Sequence, residues 1–254
     1  MSELIFNAKA QRREDARKTG EYRFVIHRTV EGQQVLSRPA PWRLGALALN
    51  IFVLTCACLA ADTAKPLYQN NFTTNEVGKL PEEMLLLDGG FAVQEVAGNK
   101  VLQLPGAPLE TFGVLFGPTE ASGLAASARV HSTKKGRREP AFALGLNGNA
   151  GYKLQISAAK KLVELYKGDD VVASAPFTLE SDSWTMLKLQ VCKVKDGEFA
   201  VEGKVWKQGA PEPDRWTVTH TEKSEPAAGR ASIWGNPFAG TPINFDDLVV
   251  STAK

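Results

Sequence analysis

From Pro66 onward the sequence alternates. Short runs in which every second residue is apolar recur between clusters of Gly, Asn, Asp and Pro, and helical spacing is scarce. Successive side chains of a strand point to opposite faces, so such alternation commits each run to a sheet with one buried face. The runs are Pro66–Phe72, Phe91–Val96, Lys100–Leu104, Phe112–Phe116, Leu124–Ser132, Ala141–Leu146, Tyr152–Ser157, Leu162–Tyr166, Val171–Ala175, Trp184–Val194, Glu198–Trp206, Trp216–Thr221, Ala231–Trp234 and Ile243–Val250. Asp196-Gly197 sits between two of them and is a strong hairpin signal, because both residues tolerate the positive φ of a type I′ turn. Gly145-Leu-Asn-Gly148-Asn-Ala-Gly151 has phosphate-loop composition, but its spacing is GxxGxxG and no helical pattern follows, so it reads as a strand-to-strand turn. No linker divides residues 66–252. The series predicts an all-β fold, a two-sheet antiparallel sandwich.

Alternation also sorts the faces. Ala126, Ala128 and Val130; Phe142, Leu144 and Leu146; Tyr152, Leu154 and Ile156; Leu187, Leu189 and Val191; and Phe199, Val201 and Val205 point inward. The opposite positions hold Arg129, His131, Lys153, Gln155, Lys188, Gln190, Glu202, Lys204 and Trp206. If these strands are neighbours, the second set forms one polar surface with a large aromatic. Such a surface can hydrogen-bond hydroxyls and stack the apolar face of a sugar. A merely solvated sheet face shows the same alternation. Trp184, Trp216 and Trp234 lie beside apolar strand residues and read as core or sheet-end packing.

Charge separates the body from what precedes it. Residues 1–64 carry nine Lys/Arg against six Asp/Glu, and residues 65–254 carry 21 against 22. A neutral body has no long-range field to draw in nucleic acid, which excludes that partner class. Residues 44–61 (LGALALNIFVLTCACLAA) are uncharged, follow Arg43 and end in small residues, the parts of a secretory signal. At about 18 residues the run also reaches the lower edge of a membrane span, so a retained signal anchor is the alternative, and the only membrane partner would be through this run. Residues 1–43 are long for a signal n-region and read as a polar tail or as an upstream start; Ile5–Lys18 suggests a polar helix and Tyr22–Val30 a weak strand. The expected location is extracytoplasmic: periplasmic, secreted or in the outer envelope, or else anchored by a single pass. Cys56 and Cys58 fall inside the apolar run, and Cys192 alone remains in the body, where it reads as a packed strand thiol.

Several motifs together carry a family likeness. Trp184-Thr-Met-Leu-Lys-Leu-Gln-Val, Gly203-Lys-Val-Trp206 with Gly209 and Glu212-Pro213-x-x-Trp216, Gly229-Arg-Ala-Ser-Ile-Trp234 and Phe245-Asp246-Asp247-Leu-Val-Val resemble the second half of a concanavalin A-like (laminin-G-like) jelly roll. Phe91–Leu104 is similar to the opening hairpin of such domains. The resemblance implies a sandwich with a concave sheet, found in lectins, carbohydrate-binding modules and glucanases, and implies no particular activity. Retaining glucanases of this fold carry an E-x-D-x-(x)-E strand motif that sets nucleophile and acid on one face. The nearest matches, Glu180-Ser-Asp182-Ser-Trp-Thr and Glu212-Pro-Asp214-Arg-Trp-Thr, lack the final acid. The resemblance also implies a possible structural calcium at the closing strand, for which Asp246, Asp247 and Asn70 would supply oxygens. An Asp that bonds neighbouring backbone does the same architectural work without a metal.

Lys134-Lys135-Gly136-Arg137-Arg138 is a compact basic turn, suited to an acidic polysaccharide, an anionic lipid surface or plain solvation. The histidines His27, His131 and His220 are isolated, and no HxH, HExxH, CxxC or GxSxG pattern is present. Three functional readings follow. The first is a non-catalytic carbohydrate-binding or interaction domain whose partner is a polysaccharide or glycan held by Arg129, His131, Lys153, Gln155, Lys188, Gln190, Glu202 and Trp206. The second is a polysaccharide hydrolase or lyase on the same face, disfavoured because Glu202 is the only carboxylate drawn there. The third is a structural envelope or adhesion protein.

Overall fold

The computed structural model describes residues 66–253. The expectations for residues 1–43 and 44–61, including the helix at Ile5–Lys18 and the strand at Tyr22–Val30, lie outside the described residues.

The described residues form fifteen strands in two antiparallel sheets. The first contains β1 (Tyr68–Asn70), β3 (Ala92–Val96), β4 (Asn99–Leu104), β6 (Leu124–Ser132), β11 (Ser183–Lys195), β12 (Glu198–Lys207), β13 (Val218–Glu222) and β15 (Ile243–Thr252). Its order is β13-β12-β11-β6-β15-β4-β3, with β1 also paired to β15. The second contains β2 (Leu85–Asp88), β5 (Phe112–Glu120), β7 (Ala141–Leu146), β8 (Tyr152–Ser157), β9 (Leu162–Lys167), β10 (Asp170–Pro176) and β14 (Gly229–Asn236), in the order β10-β9-β8-β7-β14-β5-β2. Among the described residues one 3-10 turn, at Ala158–Lys160, interrupts the strands.

All fifteen inward positions read from the alternation are buried, and all but Phe199 join one core cluster drawn from both sheets. Each of the larger aliphatic and aromatic side chains among them contributes roughly 1.5–3 kcal/mol by leaving water. The sheets approach closely: a side chain at Gly203 of β12 would meet Leu154 of β8 at 2.5 Å. The Asp196-Gly197 hairpin joins β11 to β12, and Gly197 takes φ 72°. Residues 147–151 of the glycine run form a strand-to-strand turn between β7 and β8, and Gly145 remains inside β7.

Strand ends differ from the expected runs by a few residues at several places, and two departures change the architecture. Leu85–Asp88 pairs with β5 as an edge strand, although its leucines are all exposed and no alternation marks it. Trp216 belongs to the turn before β13, which begins only at Val218. In both places tertiary pairing, not local pattern, decides the structure.

β15 departs from regularity at Asp246-Asp247. Its outer partner changes there from β4, which pairs with Ile243–Phe245, to β1, which pairs with Leu248–Val250. The register against β6 shifts between Asp246 and Val249, and Asp247 takes φ 48°. The extra residue lets Phe245 and Leu248 both face the core.

Candidate ligand-binding face

The outer face of the eight-stranded sheet is built by β6, β11, β12 and β15. Strand register sets its rows. Trp206 stands opposite Met186, Met186 opposite Arg129, and Arg129 opposite Asp246. One row further, Lys204 faces Lys188; beyond that, Glu202 faces Gln190. At the other side His131 lies between Trp184 and Asn244. Six of the eight residues expected to share a surface therefore do so: Arg129, His131, Lys188, Gln190, Glu202 and Trp206. Lys153 and Gln155 do not. They sit on β8, in the other sheet, and face the opposite side of the sandwich. Alternation separates inside from outside but carries no information on which layer a strand joins.

Charges on this face are paired across strands. Lys188 and Lys204 would repel each other as direct cross-strand neighbours. Glu212, from the turn after β12, meets both: its Oε1 accepts from Lys188 at 2.9 Å and from Lys204 at 3.1 Å. Burial opposes ionisation of Glu212, but these two bonds together outweigh it and hold the carboxyl below its ordinary range. The same turn places Trp216 against Lys204, whose Nζ lies 4.6 Å from the ring centroid. Gln190 donates to Glu202 at 2.8 Å. Arg129 lies 4.6 Å from the centre of Trp184, whose ring also meets His131 at 5.4 Å. His131 Nε2 is 3.1 Å from Asp182 Oδ1.

Arg129 also explains the acidic pair. Its Nη2 donates to Asp246 Oδ2 at 2.6 Å, and its Nε stands 2.9 Å from Asp247 Oδ2 without the alignment of a hydrogen bond. Asp246 is 1% exposed and accepts further bonds from Asn99 at 2.7 Å and from the Asp247 backbone N–H at 2.7 Å. Asn70 is engaged elsewhere: its side chain accepts from Phe72 N at 2.7 Å and donates to Glu83 at 2.9 Å. A guanidinium thus faces both carboxylates, and Asn70 has partners of its own. These residues do not fit a divalent cation, which needs six or more converging oxygens. Among the described residues no group of three or more His, Cys, Asp or Glu is arranged to hold a metal.

The outer face of the seven-stranded sheet has a different character. Its central positions are small: Gly113, Ala143, Gly145 and Ser232. Trp234 lies on this floor, donating from Nε1 to Ser232 Oγ at 2.8 Å, and a side chain at Gly113 would meet its ring at 2.6 Å. Lys153 caps the ring at 4.6 Å. Gln155 donates to Ser157 at 3.0 Å, and Ser157 in turn bonds Glu164.

The tryptophans need correction. Trp184, Trp216 and Trp234 are not core: each is half-buried, on an outer face, against one cation. The carboxylate count also changes, because the folded face holds Asp182, Glu212, Asp246 and Asp247 besides Glu202. Sequence reasoning missed Glu212 as a partner: the Asp196-Gly197 hairpin alone would set Lys188 opposite Val205, and it is the bulge between Lys193 and Lys195 that brings Lys188 opposite Lys204. Of the glucanase-like fragments, Glu180 pairs with Lys207 and Glu212 with two lysines. Cys192 is half-buried, and burial with nearby Glu202 pushes its thiol up, away from the reactive thiolate.

Comparison with known proteins agrees on the architecture. No family model matches this sequence, and no curated protein matches it. Solved structures do. The Emp47p carbohydrate recognition domain superposes with TM-score 0.52 at 9% identity, over 74% of this chain and 96% of that one. A Bacillus subtilis protein of unknown function with a galectin-like fold gives 0.50 at 13% identity, over 74% and 96%. The Bacillus subtilis carbohydrate-binding module CBM66 gives 0.47 at 14%, over 67% and 96%. At these identities the likeness to the first two is one of fold alone, a two-sheet β-sandwich.

Proposed function

We propose that this domain is an extracytoplasmic glycan-binding module of the concanavalin A-like type, and that its site is the outer face of the eight-stranded sheet. One observation carries the reading. All four tryptophans of the described residues avoid the core, and Trp184, Trp206 and Trp216 gather on that single face among Arg129, His131, Lys188 and Asp247. Leaving indole surface in contact with water forfeits burial that the core would reward, so such a grouping points to a partner. Trp206 has no cation against its ring, and it is the stacking platform; Arg129, His131 and Asp247 supply donors and acceptors for hydroxyls. The carbohydrate-recognition domains that share the fold support the partner class. Most carboxylates of the face are already engaged with cations or amides, which supports binding without catalysis.

The test is a glycan array followed by calorimetry on the best hit. Trp206→Ala is expected to weaken binding at least tenfold, about 1.4 kcal/mol, with the melting temperature nearly unchanged. An array without hits, or a hit indifferent to Trp206→Ala, overturns the assignment.

A further inference from the structure

A second surface lies at the end of the sandwich where β6 leaves for β7. Three loops meet there. Thr241 of the β14–β15 loop donates to the Thr133 carbonyl at 2.7 Å, and Asn236 donates to Thr111 at 2.9 Å. The basic turn is itself closed by reciprocal backbone bonds between Lys135 and Arg138, at 3.0 and 3.1 Å, with Gly136 at φ 62°. Between the loops is a depression of about 350 Å³ lined by Leu109, Arg137, Arg138, Glu139, Ala159 and Phe238. Leu109 is 44% and Phe238 51% exposed, unusual for side chains of that size. Lys134, Lys135, Arg137 and Arg138 place four cations in five residues, and none of them is paired with a carboxylate among the described residues. Most of the other lysines and arginines among the described residues are paired with a carboxylate, so this concentration stands out against a near-neutral background.

From this juxtaposition we infer that the depression binds an acidic polysaccharide, with Phe238 stacking against a sugar ring and Arg137 and Arg138 holding its carboxylate or sulfate groups. Guanidinium forks match planar or trigonal oxyanions in two bonds, which an ammonium cannot do. An aromatic beside paired arginines recognises a sugar and its charge together. An anionic bilayer shares the charge, but a flat membrane cannot fill a concave site, whereas a chain can enter it. The inference shares with the proposed function only the reading that the partner is a glycan; it uses different residues.

The test uses the full chain, with heparin oligosaccharide and oligogalacturonate as acidic probes and dextran as the neutral control. Affinity for at least one acidic probe is expected to fall steeply with salt. The double variant Arg137→Ala/Arg138→Ala should lose it at least tenfold, Arg137→Lys/Arg138→Lys by an intermediate factor, and Phe238→Ala severalfold. All these side chains are exposed, so the variants should fold as the parent does. Trp206→Ala should leave acidic-probe binding intact, which separates failure of this site from failure of the sheet-face site. Absence of acidic-probe binding overturns the inference. So does an unchanged Phe238→Ala variant, which would reduce the turn to non-specific charge, or arginine-dependent binding to phosphatidylglycerol vesicles without binding to either glycan.

Discussion

On the eight-stranded sheet the outer positions are filled by long charged and aromatic side chains that bond across strands. On the seven-stranded sheet they shrink to Gly113, Ala143, Gly145 and Ser232 beneath a flat Trp234. Both faces come from strands with the same alternation, and both hold tryptophan against a cation. The first face is stabilised by ion pairing and the second by the fit of a ring on a bare backbone. They should therefore fail under different substitutions.

The largest effect is expected at Asp246. Its carboxylate is almost wholly buried and joins Arg129, Asn99 and the bulge backbone in one set of bonds. Asp246→Ala leaves the guanidinium without its closest partner and frees the bulge, and should cost about 3 kcal/mol in urea denaturation. A cost below 1 kcal/mol would show that Asp247 replaces it and that the eight-stranded face is not held by this pair.

Next comes Gly113. A valine there places a methyl-bearing carbon at 2.6 Å from the Trp234 ring, so the ring must leave its floor and lose the Ser232 bond. Gly113→Val should cost about 2 kcal/mol and alter the near-ultraviolet circular dichroism of the tryptophans. The equivalent insertion on the other face, Ser127→Val between Lys188 and Val249, should cost far less because the side chains there are not packed on bare backbone. Equal losses would erase the distinction between the faces.

How much of this was legible before folding differs by level. The inward residues were readable because burial on one side imposes a period of two, and every inward position named from it is in the core. The position of Lys153 was not readable. Its strand alternates like β6 and β11, and only the long-range pairing of β8 with β7 and β9 assigns it to the other layer. The tryptophans were misread for a related reason. An indole beside apolar neighbours satisfies the pattern from either face of the pleat, and parity alone, counted from Ile233 or Leu187, would have turned Trp234 and Trp184 outward. The acidic pair was read as a cation site or a backbone-bonding edge, and its partner Arg129 lies 117 residues away in sequence. No local pattern announces such a contact.

The smallest effect is a difference in sign between two carboxylates. Glu164, on the seven-stranded sheet, is buried, which opposes its ionisation, yet bonds from Ser157, Lys160 and Tyr166 outweigh the burial and hold its carboxyl below the ordinary range. Asp247, on the eight-stranded sheet, is pushed up by burial; Arg129 offsets this in part and Asp246 adds to it. A folded-state pKa below the unfolded value means that the unfolded chain binds the proton more readily. Glu164 therefore contributes stability above the unfolded value near 4.5 and loses it as pH falls through the folded value. Asp247 has the opposite sign: ionised above 3.8 in the unfolded chain but held protonated longer in the fold, it subtracts stability once both states are ionised. Glu164→Gln should cost about 1 kcal/mol at pH 7, with the deficit shrinking below pH 4.5. Asp247→Asn should raise stability slightly at pH 7, and that gain should vanish on acidification. Denaturation curves of the two variants from pH 7 to pH 3 should thus converge on the parent from opposite sides. Convergence from the same side would mean that Glu164 and Asp247 do not differ in the sign of their contribution.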